Sequence, residues 1–366
     1  MCPRERAAET ARAAKRLCSG RKAEVQAWAA AQKARSRALL TLRAMNMRTA
    51  VVIPCYRVKS HILDVLARIG PEVSQVYVVD DACPEHSGDW VKEHCTDPRV
   101  QVLQHLQNQG VGGATLTGYT AALAHKAEIL VKVDGDGQMD PALIPRFIGP
   151  ILKGQADYTK GNRFYDLKHL DRMPLVRLLG NAALSFMAKL STGYWNLFDI
   201  NNGYTALHAR AARCLPFDKI SRRYFFETDM LFRLNTIRAL AVDIPMDAVY
   251  GQERSNLPIR RVLGEFLGKH LRNLAKRIFY NYFLRDMTVA SLELVTGTVL
   301  LAFGVVFGGV HWIDSALTGR AAPLGTIMLA ALTTLVGLQM LLAFISFDVS
   351  NVPRRPIHQD LGEDQR

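Results

Sequence analysis

Short apolar runs alternate with helical segments in the part of the chain that follows residue 47. Four runs have the composition of buried strands: TAVVIP from Thr49, QVYVVDD from Gln75, RVQVLQH from Arg99 and EILVKVD from Glu128. The segments between them, 60–69, 86–95 and 115–126, have the apolar spacing of helices. This alternation predicts an α/β fold of Rossmann-like type, a mostly parallel sheet with helices on both faces.

Two later segments, 289–312 and 322–347, are almost entirely apolar. Each exceeds the ~20 residues that a helix needs to cross a hydrocarbon core of roughly 30 Å. Glu293 is the only formal charge in either segment, and it lies near an end, where a charge costs less than at the midplane. We therefore predict two transmembrane helices. The alternative is a buried helical hairpin in a soluble domain.

Basic residues flank these two segments unevenly. Residues 254–285 hold eight Lys/Arg and one acid, and Arg354 and Arg355 follow the second segment. The loop 313–321 holds only Arg320, which Asp314 offsets. The positive-inside rule therefore predicts that both ends of the hairpin face the cytoplasm.

The basic segment that precedes the first span has a second property. Within 258–285, apolar positions at helical spacing lie beside a cationic face. This pattern predicts one or two amphipathic helices in the headgroup layer of a membrane. The alternative is a solvated basic helix that packs on its own domain.

Composition narrows the class of protein. The chain has 366 residues, is 49% hydrophobic and carries a formal charge of +13. Its basic runs lack interleaved aromatic residues and zinc-finger spacing, so nucleic acid is not the expected partner. Six scattered cysteines without a C-x-x-C pair argue against a zinc site or a disulfide framework.

The predicted organisation is a basic extension over 1–46, helical or disordered, an α/β domain over 47–253, juxtamembrane helices over 254–288, two spans over 289–347 and a cytoplasmic tail over 348–366.

Carboxylates collect where the predicted strands end. Asp80 and Asp81 follow the second strand, and Asp134 and Asp136 follow the fourth. Ligands of such sheets bind beyond the carboxyl ends of the strands. Two neighbouring carboxylates repel each other, so we expect a hard divalent cation such as Mg²⁺, shared with substrate phosphates, at Asp134 and Asp136. Asp140, directly before Pro141, is instead expected to cap the following helix.

Several stretches together resemble one known family. They are VVIPCY, VVDDAC, NQGVGGATLTGY, VDGDGQMDP, KGNRF, NNGYTALHARAA, FFETDMLFRL and the two apolar segments, from about 48 to 350. They are similar to the family 2 glycosyltransferases of GT-A fold, and within these to polyprenyl-phosphate sugar transferases such as dolichol-phosphate mannosyltransferase. The resemblance implies an inverting, metal-dependent hexosyltransferase. It would move one sugar from a UDP- or GDP-sugar to undecaprenyl or dolichyl phosphate, with Mg²⁺ or Mn²⁺ as cofactor.

The resemblance also implies roles for particular residues. Asp134 and Asp136 would hold the metal, and Gln138 would help to bind the diphosphate. The wider family places a general base at Asp229, for which the alternative is structural pairing with a nearby arginine (Arg222, Arg223 or Arg233). The other implied assignments are Pro54, Tyr56, Asp80 and Asp81 in the nucleotide pocket, Arg163 on phosphate and in catalysis, and Arg254 with Arg163 on the acceptor phosphate.

The sequence departs from the family pattern at three points. Arg57 and Val58 replace the Asn and Glu of a P-x-Y-N-E motif, Val111 stands where a Lys is frequent, and ERSNLPI matches the late E-R-x-x-G-x-S stretch only in part.

The expected location is the inner membrane of a bacterium. Glycines in the two spans suit helix association, either within one chain or in a homo-oligomer: Gly297, Gly304, Gly308 and Gly337.

Other classes of protein fit less well. NQGVGGATLTG satisfies G-x-G at Gly110 and Gly112, but Thr115 occupies the third glycine position and the motif follows the third strand, so a dinucleotide-binding oxidoreductase is not expected. The main rival is a transferase whose acceptor is a lipid hydroxyl, such as diacylglycerol.

Overall fold

The structure, a computed structural model, describes residues 47–165, 175–247 and 259–362. Thr49–Arg366 forms one compact unit, centred on a seven-stranded sheet with the order β3-β2-β1-β4-β6-β5-β7. The extension over 1–46 lies outside the described residues. The strands are β1 (Thr49–Cys55), β2 (Gln75–Asp80), β3 (Val100–Gln104), β4 (Ile129–Lys132), β5 (Tyr158–Asn162), β6 (Thr205–His208) and β7 (Ala241–Pro245).

Helices connect the strands and then continue beyond the sheet. The helices of the sheet domain are α1 (Ile62–Ala67), α2 (Ser87–His94), α3 (Val111–Ala124), α4 (Ile144–Leu152), α5 (Leu175–Thr192), α6 (Ala209–Arg213) and α7 (Phe226–Thr236). Three further helices follow: α8 (Ile259–Phe279), which continues into a π-helical turn (Tyr280–Arg285), α9 (Val289–Thr318) and α10 (Leu324–Ser350). Short 3₁₀ turns occupy Pro141–Leu143, Phe217–Lys219 and Ile357–Gln359.

The predicted mostly parallel sheet is confirmed. The first four strands run parallel to one another, and β5 is parallel to β7. One strand, β6, is antiparallel to both β4 and β5. The central strands β1 and β4 are buried almost throughout, because helices cover both faces of the sheet.

The two apolar segments form α9 and α10, a hairpin of 30 and 27 residues. Both helices are long and apolar enough to cross a membrane, and only 22% and 11% of their most apolar stretches are buried. A hairpin in a soluble core would instead be mostly buried. Gly297 and Gly337 lie in the contact between the helices, where a Cβ on Gly297 would come within 3.1 Å of the Gly337 carbonyl oxygen. The small residues therefore serve packing within one chain.

A buried carboxylate joins the end of this hairpin to the sheet domain. Asp348, in the last turn of α10, pairs with Arg277 of α8 at 2.6 Å and accepts a hydrogen bond from the Tyr282 hydroxyl at 2.5 Å. Trp195, in the loop that follows α5, donates to the same carboxylate at 2.8 Å. Both ends of the α9–α10 hairpin therefore lie on the side of the sheet domain.

Helix α8 packs on the sheet domain with a polar face. His270, Asn273, Arg277 and Asn281 are all buried and recur at helical spacing. His270 lies 2.7 Å from the Ser191 hydroxyl, and the Arg277 side chain donates to the Leu190 carbonyl oxygen at 3.0 Å. Leucines and aromatics of the same segment are exposed instead: Leu267, Leu271, Phe279 and Leu284. This arrangement leaves an exposed apolar surface of the kind that marks contact with a membrane or with another protein.

The segment that follows α10 returns to the sheet domain. Asp157, directly before β5, accepts hydrogen bonds from the backbone nitrogens of Ile357 and His358, both at 2.9 Å, and pairs with the His358 ring at 2.6 Å. The Arg210 side chain donates to the His358 carbonyl oxygen at 3.1 Å. Residues 357–361 are thus fixed on the sheet domain.

His208 lies beneath this docked segment, and its ring stacks on that of His358 with centroids 4.2 Å apart. Its Nδ1 accepts a hydrogen bond from the Arg210 backbone nitrogen at 3.0 Å. Burial, followed by the charges of His358 and Arg210, lowers the pKa of His208 from 6.5 to about 3. Because the folded pKa lies below the unfolded value, His208 stabilises the fold fully above pH 6.5, and this contribution falls as the pH drops toward 3.

We expect His208→Asn to reduce the loss of stability between pH 7 and pH 5, by up to about 2 kcal/mol, because Asn keeps the helix cap but does not titrate. Thermal or denaturant unfolding at the two pH values measures this difference. His61→Asn is the matched control, since His61 also precedes a helix but is exposed. An unchanged pH dependence in His208→Asn would contradict the assignment.

Candidate active site

A buried lysine lies at the carboxyl end of β4. Lys132 Nζ is 2.6 Å from Asp134 Oδ1 and 3.5 Å from Glu227 Oε1, and it donates to the Gly203 carbonyl oxygen at 3.3 Å. Burial by itself lowers the pKa of Lys132, but the carboxylates of Asp134 and Glu227 outweigh burial, so the pKa is raised. One ammonium group is therefore paired with two carboxylates.

Local geometry accounts for this cluster. Side chains two positions apart in an extended chain point the same way, so Lys132 and Asp134 share a face. Glu227 enters from the first turn of α7. Gly203 approaches closely: a Cβ there would lie 2.6 Å from Lys132 Nζ and 2.7 Å from Asp134 Oδ2. A larger residue at this position would displace the ion pair.

The loop after β4 presents the second acid. Asp136 is partly exposed, and its Oδ1 accepts a hydrogen bond from the Gln138 backbone nitrogen at 3.0 Å. Asp140 caps the following 3₁₀ turn by accepting from the Ala142 nitrogen at 3.0 Å, which confirms the predicted cap. Asp140 also pairs with Arg68 at 2.5 Å. Asp134, Asp136 and Gln138 are therefore the polar side chains that this loop offers to a ligand.

These residues fit a hard divalent cation. Carboxylate oxygens are the ligands that Mg²⁺ and Mn²⁺ prefer. Within 47–165, 175–247 and 259–362, no three His, Cys, Asp or Glu side chains group closely enough to hold a metal. Mg²⁺ is commonly bound through one or two carboxylates, with water and substrate phosphates as its other ligands, so Asp134 and Asp136 are the candidate ligands of this loop.

Asp80 and Asp81 have their carboxylates directed at protein donors. Asp80 accepts from the Cys83 nitrogen at 2.7 Å and from the Gly88 nitrogen at 2.6 Å. Asp81 accepts from the Gly110 nitrogen at 2.7 Å and also contacts the His105 ring at 2.7 Å. Both acids are buried, and they fix the two loops that flank the carboxyl end of β2.

The glycine-rich turn before α3 is held from both sides. Gly110 has a φ of +88°, which favours glycine, and a Cβ there would lie 2.6 Å from the Arg222 carbonyl oxygen. The Gly113 nitrogen donates to that same oxygen at 3.0 Å. The Arg222 side chain donates to Gln109 Oε1 at 2.9 Å. The turn is thus joined to the segment that leads into α7.

An exposed aromatic residue lies at the carboxyl end of β1. Tyr56 is 44% exposed, and the Arg57 guanidinium lies 5.4 Å from the centre of its ring. Arg57 has a φ of +59°, and its backbone nitrogen donates to Cys83 Sγ at 3.0 Å. Pro54 is half-buried within β1. The exposed ring offers a flat surface for stacking of a nucleotide base.

Arg163, one of the two predicted phosphate-binding arginines, pairs with a buried carboxylate. Arg163, directly after β5, binds Asp199 through Nε at 2.7 Å and Nη2 at 3.1 Å. Asp199 is buried and also accepts from the Asn202 side chain at 3.2 Å. Arg163 is therefore held in a fixed orientation. Arg254 lies outside the described residues.

Asp229 has structural partners. It is buried and accepts hydrogen bonds from the Ser221 nitrogen at 2.8 Å and from Asn273 Nδ2 of α8 at 3.0 Å. Arg233 lies 3.5 Å away, one of the three arginines that the sequence offers for structural pairing. Positions two apart on a helix point in different directions, so Glu227 rather than Asp229 reaches Lys132.

A second buried lysine comes from KGNRF. Lys160 Nζ donates to the Asn202 carbonyl oxygen. Burial lowers the pKa of Lys160 from 10.5 to about 8, although the carboxylates of Glu227 and Asp199 act in the opposite direction. The sequence carried signals for Lys132 and Lys160, since each is a charged residue within an otherwise buried strand. No role was predicted from the sequence for Lys132, Lys160 or Glu227.

The fold is that of the GT-A glycosyltransferases. Mannosyl-3-phosphoglycerate synthase from Rubrobacter xylanophilus has the same fold, with a TM-score of 0.50 at 16% identity over 68% of this chain and 80% of that one. The profile named Glycosyl transferase family 2 matches residues 50–215, from β1 to the end of α6. The chain belongs to this family.

Two relatives at the sequence level narrow the comparison. An undecaprenyl-phosphate mannosyltransferase from Micrococcus luteus is 33% identical over 207 residues, which are 56% of this chain and 84% of that protein. A UDP-N-acetylglucosamine--dolichyl-phosphate N-acetylglucosaminyltransferase from Methanococcus voltae is 28% identical over 55% of this chain and 85% of that protein. The resemblance to polyprenyl-phosphate sugar transferases is thereby confirmed.

We expect Lys132→Met to lower the free energy of unfolding by about 1–3 kcal/mol, because it leaves Asp134 and Glu227 without their shared cation. Denaturant unfolding in detergent measures the change. Lys153→Met is the control: Lys153 is exposed at the end of α4, and we expect an effect within about 0.5 kcal/mol. Equal free energies of unfolding for Lys132→Met and the wild type would contradict a stabilising ion pair of Lys132 with Asp134 and Glu227.

Proposed function

We propose that this protein is a membrane-anchored inverting glycosyltransferase that moves one sugar from a nucleotide-diphosphate sugar to a polyprenyl phosphate on the cytoplasmic face. Its relatives from Micrococcus luteus and Methanococcus voltae carry names with lipid-phosphate acceptors. A UDP- or GDP-sugar is the proposed donor.

One observation carries the proposal more than any other: the helix that bears the site acid Glu227 is hydrogen-bonded to α8, the helix that leads into the apolar hairpin of α9 and α10. Asp229, two residues after Glu227, accepts a hydrogen bond from Asn273 of α8. The exposed Leu267 and Leu271 of α8 face away from the sheet domain. This supports an acceptor that reaches the site from a lipid layer.

The chemistry requires the anomeric carbon to gain a bond to an acceptor oxygen while its bond to the nucleoside diphosphate breaks. A single displacement of this kind inverts that carbon. When bound, a Mg²⁺ or Mn²⁺ ion held by Asp134 and Asp136 would neutralise charge on the departing diphosphate. Lys132 would keep the Asp134 carboxylate in position before any ligand arrives.

The proposed acceptor reduces the need for a base. A phosphate monoester has a second pKa of about 6, so at neutral pH it is mostly dianionic and already nucleophilic. The buried Asp229, whose carboxylate is engaged by Ser221 and Asn273, therefore need not take up a proton. Cations must hold the acceptor instead, and Arg163 and Arg254 are the proposed phosphate contacts. Pro54, Tyr56 and Gln138 are proposed to contact the donor, with Asp80 and Asp81 supporting the nucleotide pocket.

A lipid hydroxyl is the second candidate acceptor. Such an acceptor needs a general base. Glu227 is a carboxylate beside Lys132 with 13% of its side chain exposed, and this placement suits that role.

We expect the purified chain, with Mn²⁺ and a panel of UDP- and GDP-sugars, to form an acid-labile glycolipid from polyprenyl phosphate. The lipid product is measured with a radiolabelled sugar and compared with that from diacylglycerol. Product formed from the hydroxyl lipid alone would contradict the proposed acceptor.

Asp136→Asn should lower turnover by roughly 10²–10³-fold, because the site loses one of its two carboxylate ligands. Asp140→Asn is the matched control in the same loop: Asn caps a helical turn as well as Asp, and the exposed pair with Arg68 contributes little. Both variants should retain the wild-type unfolding midpoint. Full activity in Asp136→Asn would remove the metal-ligand assignment.

A further inference from the structure

A cavity of about 610 Å³ lies where α10 ends and the chain turns back to the sheet domain. Three arginines line it, Arg238, Arg354 and Arg355, together with apolar side chains that include Phe347 and Val352. The one acid in the lining is Asp360, so positive charge dominates.

This cavity lies at the sheet edge opposite the candidate active site. Strand β5 runs parallel to β4, since both are antiparallel to β6, and β7 is parallel to β5. Arg238 lies just before β7, at the amino-terminal end of that strand, whereas Asp134 follows the carboxyl-terminal end of β4. The cavity is therefore separate from the proposed transfer site.

The position of the cavity along the chain places it in a headgroup layer, if α9 and α10 cross a membrane as in the proposed function. Phe347 belongs to the last turns of α10, and Arg354 and Arg355 follow the end of the helix at Ser350 by four and five residues. Basic residues this close to the end of a span meet the phosphates of the adjoining leaflet.

Two of the three arginines are held in place by hydrogen bonds to the chain. Arg238 is oriented by two hydrogen bonds to Asn351, one to the carbonyl oxygen at 2.8 Å and one to Oδ1 at 3.0 Å. Arg354 donates to the Ser350 carbonyl oxygen at 3.1 Å, which offsets the partial negative charge of the helix end. Arg355 is exposed and has no ion pair with any acid in the described part of the chain.

We propose that this cavity binds the phosphate headgroup of an anionic membrane phospholipid in the leaflet nearest the sheet domain. Guanidinium groups bind phosphate oxygens in a bidentate manner, and Phe347 and Val352 provide an apolar wall for the first part of the acyl chain. The lipid would brace the segment between α10 and the docked residues 357–361. The inference rests on the membrane crossing of α9 and α10, but not on the transferase reaction.

The test measures thermal unfolding of the purified full chain in a neutral detergent with added phosphatidylglycerol or phosphatidylcholine. We expect phosphatidylglycerol to raise the unfolding midpoint of the wild type and phosphatidylcholine to have a much smaller effect. Arg354→Gln/Arg355→Gln should weaken the apparent affinity for phosphatidylglycerol roughly 30-fold, because two cations near the phosphate are lost. The control Lys126→Gln/Arg146→Gln removes the same charge from exposed positions elsewhere and should respond like the wild type.

If the double variant does not fold, Arg355→Gln alone takes its place, because Arg355 is exposed. We expect this single variant also to bind phosphatidylglycerol more weakly than the wild type. Native mass spectrometry of bound phosphatidylglycerol provides a second readout. Equal lipid responses in the wild type and both arginine variants would overturn the proposal. A midpoint shift of the same size with inorganic phosphate alone would also overturn it, in favour of a free-anion site. Enzymatic activity is not a readout, so failure here is distinct from failure of the proposed function.

Discussion

The ion pair of Lys132 with Asp134 and Glu227 is the contact on which the site depends. It joins the end of β4, the loop at Gly203 and the first turn of α7 around one buried ammonium group. Without it, two carboxylates would face each other at the carboxyl edge of the sheet and repel. With it, Asp134 is positioned and partly neutralised before any ligand binds. The arrangement costs desolvation of a lysine, which the two carboxylates and the carbonyl oxygen offset.

A second buried carboxylate, Asp348, joins the apolar hairpin to the sheet domain. It is buried between α8, α10 and Trp195, so the end of the hairpin cannot move independently of the sheet domain. Because α8 also bonds to Asp229 of α7, the chain of contacts continues from the hairpin to the helix that carries Glu227. This continuity gives a physical basis for holding Glu227 at a fixed distance from the apolar hairpin.

Much of the fold could be predicted from the sequence, because strands β1 to β4 and the two apolar helices are set by local patterns. The acid pair after β4 was visible for the same reason. Long-range contacts could not be predicted in this way. The return of residues 357–361 to Asp157 and the pairing of Arg163 with Asp199 join positions 36 to 201 residues apart. The antiparallel direction of β6 depends on the order of strands in the sheet. The stretch FFETDML contains two acids, Glu227 and Asp229. Which of them faces the site depends on the rotation of α7 about its axis, and the sequence does not determine that rotation.

The most direct measurement is a calorimetric titration of Mn²⁺ into the full chain, with and without a nucleoside diphosphate. Two carboxylates, one of them already paired with Lys132, are too few ligands for tight binding alone. We therefore expect weak Mn²⁺ binding that strengthens at least about tenfold when UDP or GDP supplies phosphate oxygens. Mn²⁺ affinity that does not depend on either nucleotide would contradict the account.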